Sequence, residues 1–143
     1  MHSRPSYRSK KLIVFDLDGT VTPSKSKMDR EMSGLLVRLL KDRKVAIIGG
    51  GKYDQFKRQF LSALHIPREL LKNLFLFPTT STSFYRYSAG RRTGWRRVYA
   101  HRLSLAEKRK IRRAFSQVFR ETGYRHPRNV YGKLIEDRGT QIS

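Results

Sequence analysis

Between residues 12 and 77 the chain alternates short apolar runs with amphipathic segments, and this alternation constrains its fold more than anything else. Leu12-Ile13-Val14-Phe15 is a continuous apolar run, the form a buried parallel strand takes. From about Asp29 to Lys41, Met32, Leu35, Leu36, Leu39 and Leu40 recur at helical spacing, with Gly34 weakening the helix by about 1 kcal/mol against alanine. Val45 to Ile48 is a second apolar strand and ends in Gly49-Gly50-Gly51. A second helix fits from about Asp54 to Leu64, with Phe56, Phe60 and Leu64 on one face. A helical turn over Arg68 to Leu74 leads into a third strand, Phe75-Leu76-Phe77. Strand, helix, strand, helix, strand predicts an α/β fold built on a parallel sheet with right-handed crossovers.

After Pro78 the layout changes. Residues 79–83 are all Thr or Ser. Phe84 to Tyr87 and Trp95 to Tyr99 read as two strands of a hairpin, with Ser88 to Gly94 between them. Ser104-Leu105-Ala106-Glu107 is a capping box that starts a helix striped by Ile111, Ala114, Phe115 and Val118, and Gly123 stops it. Val130 to Glu136 reads as a strand, Arg138-Gly139 as a turn, and a further strand starts at Thr140. The second half is thus α+β and antiparallel. Three segments follow: a flexible basic arm over 1–11, an α/β part over 12–78 and an α+β part over 79–143.

Composition narrows the function. Lys and Arg number 32 against 11 Asp and Glu, a formal charge of +21, which calls for burial or an anionic partner. The absence of cysteine excludes disulfides, thiolate metal sites and a cysteine nucleophile. No apolar run approaches the roughly 18 residues of a membrane span, and the one after Met1 to Lys11 is too short for a signal peptide. The expectation is a soluble cytoplasmic protein. His2, His65, His101 and His126 are scattered without ligand spacing, and the glycine triplet lacks the Lys-Ser/Thr of a phosphate-binding P-loop.

The chemistry gathers at Asp16-Leu17-Asp18-Gly19-Thr20, directly after the first strand. Asp-Gly alone is a turn signal. Here an apolar strand feeds straight into it, and open α/β sheets bind ligands beyond the carboxyl ends of their strands. Asp16 and Asp18 make a hard, oxygen-rich site suited to Mg²⁺. Gly19 permits a sharp turn, and Thr20 with the following amides can donate to phosphate oxygens. One aspartate can attack phosphorus while the other protonates the leaving group.

Phe15 to Thr22 resembles motif I of the haloacid dehalogenase (HAD) superfamily of phosphatases and phosphomutases. The resemblance is closer to the eukaryotic-type phosphomannomutases and their Cof-like relatives, in which the motif is followed by a basic residue, an acidic helix start and a strand ending in Gly-Gly. This chain has Lys25, Asp29 and Gly49-Gly50 there, and Leu134 to Ser143 is similar to a hairpin of that branch's cap. The resemblance implies a partial Rossmann-like HAD core followed by an incomplete α+β cap. It implies Asp16 as nucleophile and Mg²⁺ ligand, and Asp18 as general acid/base with its carbonyl on the metal. Gly49, Gly50 and Gly51 would face the phosphate, with Lys25 adding charge. The substrate implied is a small phosphorylated metabolite, such as a sugar phosphate.

The chain departs from that pattern in two ways. Three glycines stand where motif II usually carries a hydroxyl, and Tyr53 is not assigned that role. Motif III lysine and motif IV acidic residues have no counterpart, and Glu136-Asp137 reads as a solvated turn. The 143 residues therefore read as an N-terminal portion. The motif I strand, central in the family, is expected to be an exposed apolar edge.

The charge concentrates late: residues 86–128 hold fourteen Lys or Arg and two Glu. Lys108, Arg109, Lys110, Arg112 and Arg113 spread over one helix face, and Tyr85, Tyr87, Trp95 and Tyr99 interleave with Arg in the hairpin. Either this is a wet face in an Arg-rich protein, or it binds nucleic acid or another polyanion nonspecifically through phosphate contacts and stacking. The second option makes a catalytically degenerate binding module the alternative to the enzyme.

Overall fold

A computed structural model describes residues 7–90, 94–129 and 132–143. The chain forms two compact units, Met1–Tyr99 and Ala100–Ser143. The described residues of the first unit hold strands β1 (Leu12–Asp16), β2 (Lys44–Ile48), β3 (Leu74–Phe77), β4 (Ser83–Ser88) and β5 (Gly94–Ala100), and helices α1 (Arg30–Asp42) and α2 (Tyr53–Gln59). The strands make one sheet in the order β1-β2-β3-β4-β5. The first three run parallel, with Asp16 opposite Ile48 and Ile48 opposite Phe77, while β4 lies antiparallel on β3. The hairpin read from the sequence therefore continues the parallel sheet.

The core forms between the sheet and its helices. Leu17, Leu40, Val45, Ile47, Phe56, Phe60, Leu74 and Leu76 have no exposed surface. In α1 the buried positions are Ser33, Leu36 and Leu40, while Leu35 faces outward. Asp29 caps α1, its carboxylate accepting from the Met32 amide at 2.7 Å. Helix α2 ends earlier than its periodicity suggests and gives way to a 3-10 turn over Leu61–Ala63. The Gln59 carbonyl accepts from the Met28 amide at 2.9 Å, so it is withdrawn from the helical ladder. A second 3-10 turn, Arg68–Asn73, precedes β3.

Strand β1 is the sheet edge, and Leu12 and Val14 are 50% and 52% exposed, not buried as a parallel strand usually is. The apolar run thus forms the expected strand, but at the open edge among the described residues rather than buried on both faces. The described end of the basic arm, expected to be flexible, is tied to the fold. Residues 1–6 lie outside the described residues, but Tyr7–Ser9 form a 3-10 turn. The Arg8 carbonyl accepts from Arg43, and that of Lys11 accepts from the Lys44 amide.

The second unit holds α3 (Leu105–Glu121), with both halves of the capping box formed by Ser104 and Glu107. Its other end is a Schellman turn: the Tyr124 amide donates to Phe119 and that of Gly123 to Arg120, with Gly123 at φ +64°. The Phe119 and Tyr124 rings stack across this turn at 5.0 Å. The covered stripe runs through Ile111, Phe115 and Phe119, while Ala114 and Val118, expected in it, are exposed. The strand expected over 130–136 is not seen in its described part. Val130 and Tyr131 lie outside the described residues, and 132–136 is irregular. The strand expected from Thr140 is reduced to one bridge, Asp137 with Ile142, closed by amide–carbonyl bonds between Glu136 and Ser143. No helix among the described residues is long and apolar enough to cross a membrane.

Candidate active site

Asp16 is the last residue of β1. Leu17 then drops into the core, its amide donating to the Ile48 carbonyl at 2.9 Å. Its carbonyl accepts from the amides of Val21 and Thr22 and from the Thr22 hydroxyl at 3.1 Å. Gly19, at φ +77°, donates to the Thr22 carbonyl at 2.7 Å and closes the turn. With Leu17 pointing inward, the carboxylates on either side of it lie outside the core at the sheet's carboxyl end.

The two aspartates are held differently. Asp18 is half-buried and restrained from both sides: Oδ1 accepts from the Lys25 amide at 3.1 Å and Oδ2 from Gln55 Nε2 at 3.0 Å. The Asp16 carboxylate is exposed and has no hydrogen-bond partner among the described residues. Lys25, at φ +55°, meets the site through its backbone, and its ammonium group is exposed. Thr20 is exposed on the turn.

The glycine triplet is shaped by its neighbours. A Cβ on Gly49 would sit 3.1 Å from the Phe56 ring and 3.2 Å from Leu17 Cβ, and one on Gly51 would overlap the Gln55 amide. The absence of a side chain at Gly51 is therefore what lets Gln55 lean back to Asp18. Gly50 is open to solvent. Against this loop rests a segment the sequence reading passed over. Thr79, Thr80 and Ser81 are consecutive residues at φ +51°, +54° and +65°. The Thr79 and Thr80 amides donate to Gly51 and Gly49 at 2.9 and 3.0 Å. Left-handed backbone costs a non-glycine residue on the order of 1 kcal/mol. Thr79 is buried, and its hydroxyl donates to the Pro78 carbonyl and meets Ser83, whereas Thr80 is exposed. Gln55 was also missed; its only trace in the sequence is the side-chain-free position one helical turn before it.

Tyr53 stacks on Tyr85, with centroids 3.9 Å apart and planes at 3°. Burial, then the neighbouring Tyr85 and Asp54, push its phenol up to about 12, so it stays protonated and supplies no base. Among the described residues no cluster of three or more acidic or histidine side chains exists. The donors present still fit Mg²⁺, which takes oxygen ligands and binds through one or two carboxylates with water and substrate phosphate completing its shell. Asp16 offers free carboxylate oxygens, and Asp18 sits two residues on. Glu136 and Asp137 are occupied in the second unit by Arg138 and Lys108, each at 3.0 Å. The Gly139 amide, then Lys108, hold the Asp137 carboxyl below its ordinary range.

No family profile matches the chain. Over 48 residues it is 38% identical to phosphomannomutase 1 of Mus musculus, a stretch covering 34% of this chain and 18% of that protein. The human phosphomannomutase 1 is 35% identical over the same length. The structure of an N-terminally truncated, IMP-bound IMP-nucleotidase from Plasmodium falciparum superposes with a TM-score of 0.65 at 14% identity, over 93% of this chain and 39% of that one. A haloacid dehalogenase-like hydrolase from B. subtilis superposes with a TM-score of 0.54 at 20% identity, over 78% of this chain and 34% of that one. In fold the chain is thus similar to a haloacid dehalogenase-like hydrolase, and over 48 residues its sequence is similar to phosphomannomutase 1. It spans well under half the length of these relatives.

Proposed function

We propose that the chain carries the nucleophile half of a Mg²⁺-dependent HAD-type phosphohydrolase or phosphomutase acting on a small phosphorylated metabolite. One observation carries the reading: two aspartates flank a buried leucine at the carboxyl end of a sheet strand, one free and one restrained. The names of its relatives agree, since both phosphomannomutase and an IMP-bound nucleotidase handle small phosphate esters. The unrestrained Asp16 suits nucleophilic attack. Its oxygen bonds to phosphorus as the ester oxygen leaves, and Asp18 gives that oxygen a proton. A water, deprotonated by Asp18, then cleaves the Asp16 acyl phosphate and releases inorganic phosphate; in a mutase a sugar hydroxyl takes the water's place. Gln55 and the Lys25 amide keep Asp18 in place through both proton transfers. Mg²⁺ on the Asp16 side would neutralise charge on the transferring phosphoryl group.

Acid-quenched intact mass after incubation with p-nitrophenyl phosphate and MgCl₂ tests this. One added phosphoryl group, mapped to Asp16 and absent in Asp16→Asn, is the expected result. Phosphate release that survives Asp16→Asn, or a wild type that takes up no phosphoryl group, overturns it.

A further inference from the structure

Helix α3 carries a row of arginines that no acidic side chain answers. Arg109, Arg113, Ser116 and Arg120 fall within about 60° of one another around the helix and span about 16 Å along it. Together with Arg112 and Gln117 they line an open groove of about 610 Å³. Arg112 and Lys108 share Asp137, at 3.5 and 3.0 Å, but Arg109, Arg113 and Arg120 have no ion-pair partner among the described residues. Three like charges on adjoining turns repel one another unless an anion lies across them.

The lining holds no apolar side chain: its free donors are guanidinium groups, while the Ser116 hydroxyl donates to the Arg112 carbonyl at 3.0 Å and the Gln117 amide to Glu121 at 2.7 Å. Guanidinium groups bind phosphate oxygens in bidentate fashion, and a groove without apolar side chains has nothing to lodge among acyl chains. Four residues beyond Arg120, Tyr124 stacks on Phe119 and meets His126 edge-on at 5.7 Å, yet is still 45% exposed, so it offers aromatic surface at the end of the helix that carries the arginine row. The hairpin aromatics Tyr85, Tyr87, Trp95 and Tyr99 are less exposed than Tyr124. Tyr85 stacks on Tyr53, Tyr87 packs edge-on to Trp95 and Tyr99 packs on Phe84, so they are engaged within the fold.

We infer that this face of α3 is a binding surface for single-stranded nucleic acid. Arg109, Arg113 and Arg120 would hold successive backbone phosphates, and Tyr124 would stack on a base. This inference is independent of phosphoryl transfer at Asp16.

The test is fluorescence anisotropy of labelled oligo(dT) against the full 143-residue chain across a salt series. Two variants of equal charge are compared: Arg109/Arg113/Arg120→Gln on α3, and Arg38/Lys41/Arg68→Gln on exposed positions of the first unit. Glutamine is a good helix former, so α3 should survive, which circular dichroism checks. The α3 variant should lower the slope of log K against log salt by about 2, as expected for three lost phosphate contacts on a single strand. Its affinity should fall by more than tenfold, whereas the control variant's changes by less than threefold. Tyr124→Ala should weaken binding at least fivefold without altering the slope, in keeping with base stacking. Equal losses in the two charge variants would mean that net charge alone binds the oligonucleotide, and would refute the inference. So would undetectable binding by the wild type, or α3-dependent binding that is tighter to phosphatidylserine vesicles or polyglutamate than to oligo(dT).

Discussion

If Gly51 exists to let Gln55 reach Asp18, replacing it with alanine should act entirely through Gln55. The Gly51 backbone lies outside the left-handed region, so alanine fits its conformation and, in the absence of a clash, would stabilise the fold by about 0.4–1 kcal/mol through the unfolded state. The added Cβ instead displaces the Gln55 amide and breaks its 3.0 Å hydrogen bond to Asp18 Oδ2. A hydrogen bond to a charged group contributes about 1.5–3 kcal/mol, and because Asp18 is only half-buried the lower end applies. Gly51→Ala should therefore destabilise by about 1 kcal/mol, and Gln55→Ala by about 1.5 kcal/mol. In the double variant the bond is lost only once and the clash disappears. Alanine at 51 should then stabilise the Gln55→Ala protein by about 0.4–1 kcal/mol.

The cycle thus predicts a coupling of about −1.5 kcal/mol, well outside the 0.3–0.5 kcal/mol within which independent sites add. Urea unfolding followed by tryptophan fluorescence measures it cleanly, because the single tryptophan, Trp95, lies in the first unit with this site. Additive effects, or an alanine at 51 that destabilises the Gln55→Ala protein as much as the wild type, would refute the reasoning.

Three further outcomes follow from the same geometry. Leu17→Ala empties a fully buried position between the two aspartates and should cost about 2–5 kcal/mol by the same urea assay. Thr80→Gly removes a left-handed threonine whose hydroxyl has no partner among the described residues, so it should stabilise by on the order of 1 kcal/mol, whereas Thr79→Gly loses a buried hydroxyl network and should not. The Ser104 amide, then its hydroxyl, hold the Glu107 carboxyl below its ordinary range. That stabilisation is therefore complete above the unfolded value of about 4.3 and lost as pH falls through the lower folded value. The ellipticity of α3 at 222 nm should stay flat from neutral pH to about 5 and drop below about 4, and Glu107→Gln should remove the drop.

What the sequence made legible is what depends on contact with the core. Val45 to Ile48, the Phe56–Phe60–Leu64 face and the motif I turn were each readable because burial leaves a periodic trace. The capping box and Gly123 were readable because a helix end must satisfy its own backbone groups within a few residues. Where reading failed, a partner distant along the chain had intervened. Helix α2 stops because Met28, more than thirty residues back, takes the Gln59 carbonyl. In α3 the reason is local instead: Tyr124, five residues on, turns back past the helix end and covers Phe119.

The candidate site divides along the same line. Asp16 and Asp18 are both visible in the sequence, yet nothing in Asp-Leu-Asp distinguishes them. Their difference comes from Gln55, 37 residues away, which holds Asp18 only because Gly51 leaves it room and because the strained Thr79–Ser81 turn buttresses the glycine loop. A motif hydroxyl on a side chain at position 51 would compete with Gln55 for the same space. The glycine at 51 is thus better understood by what it makes room for, an amide that fixes the Asp18 carboxylate.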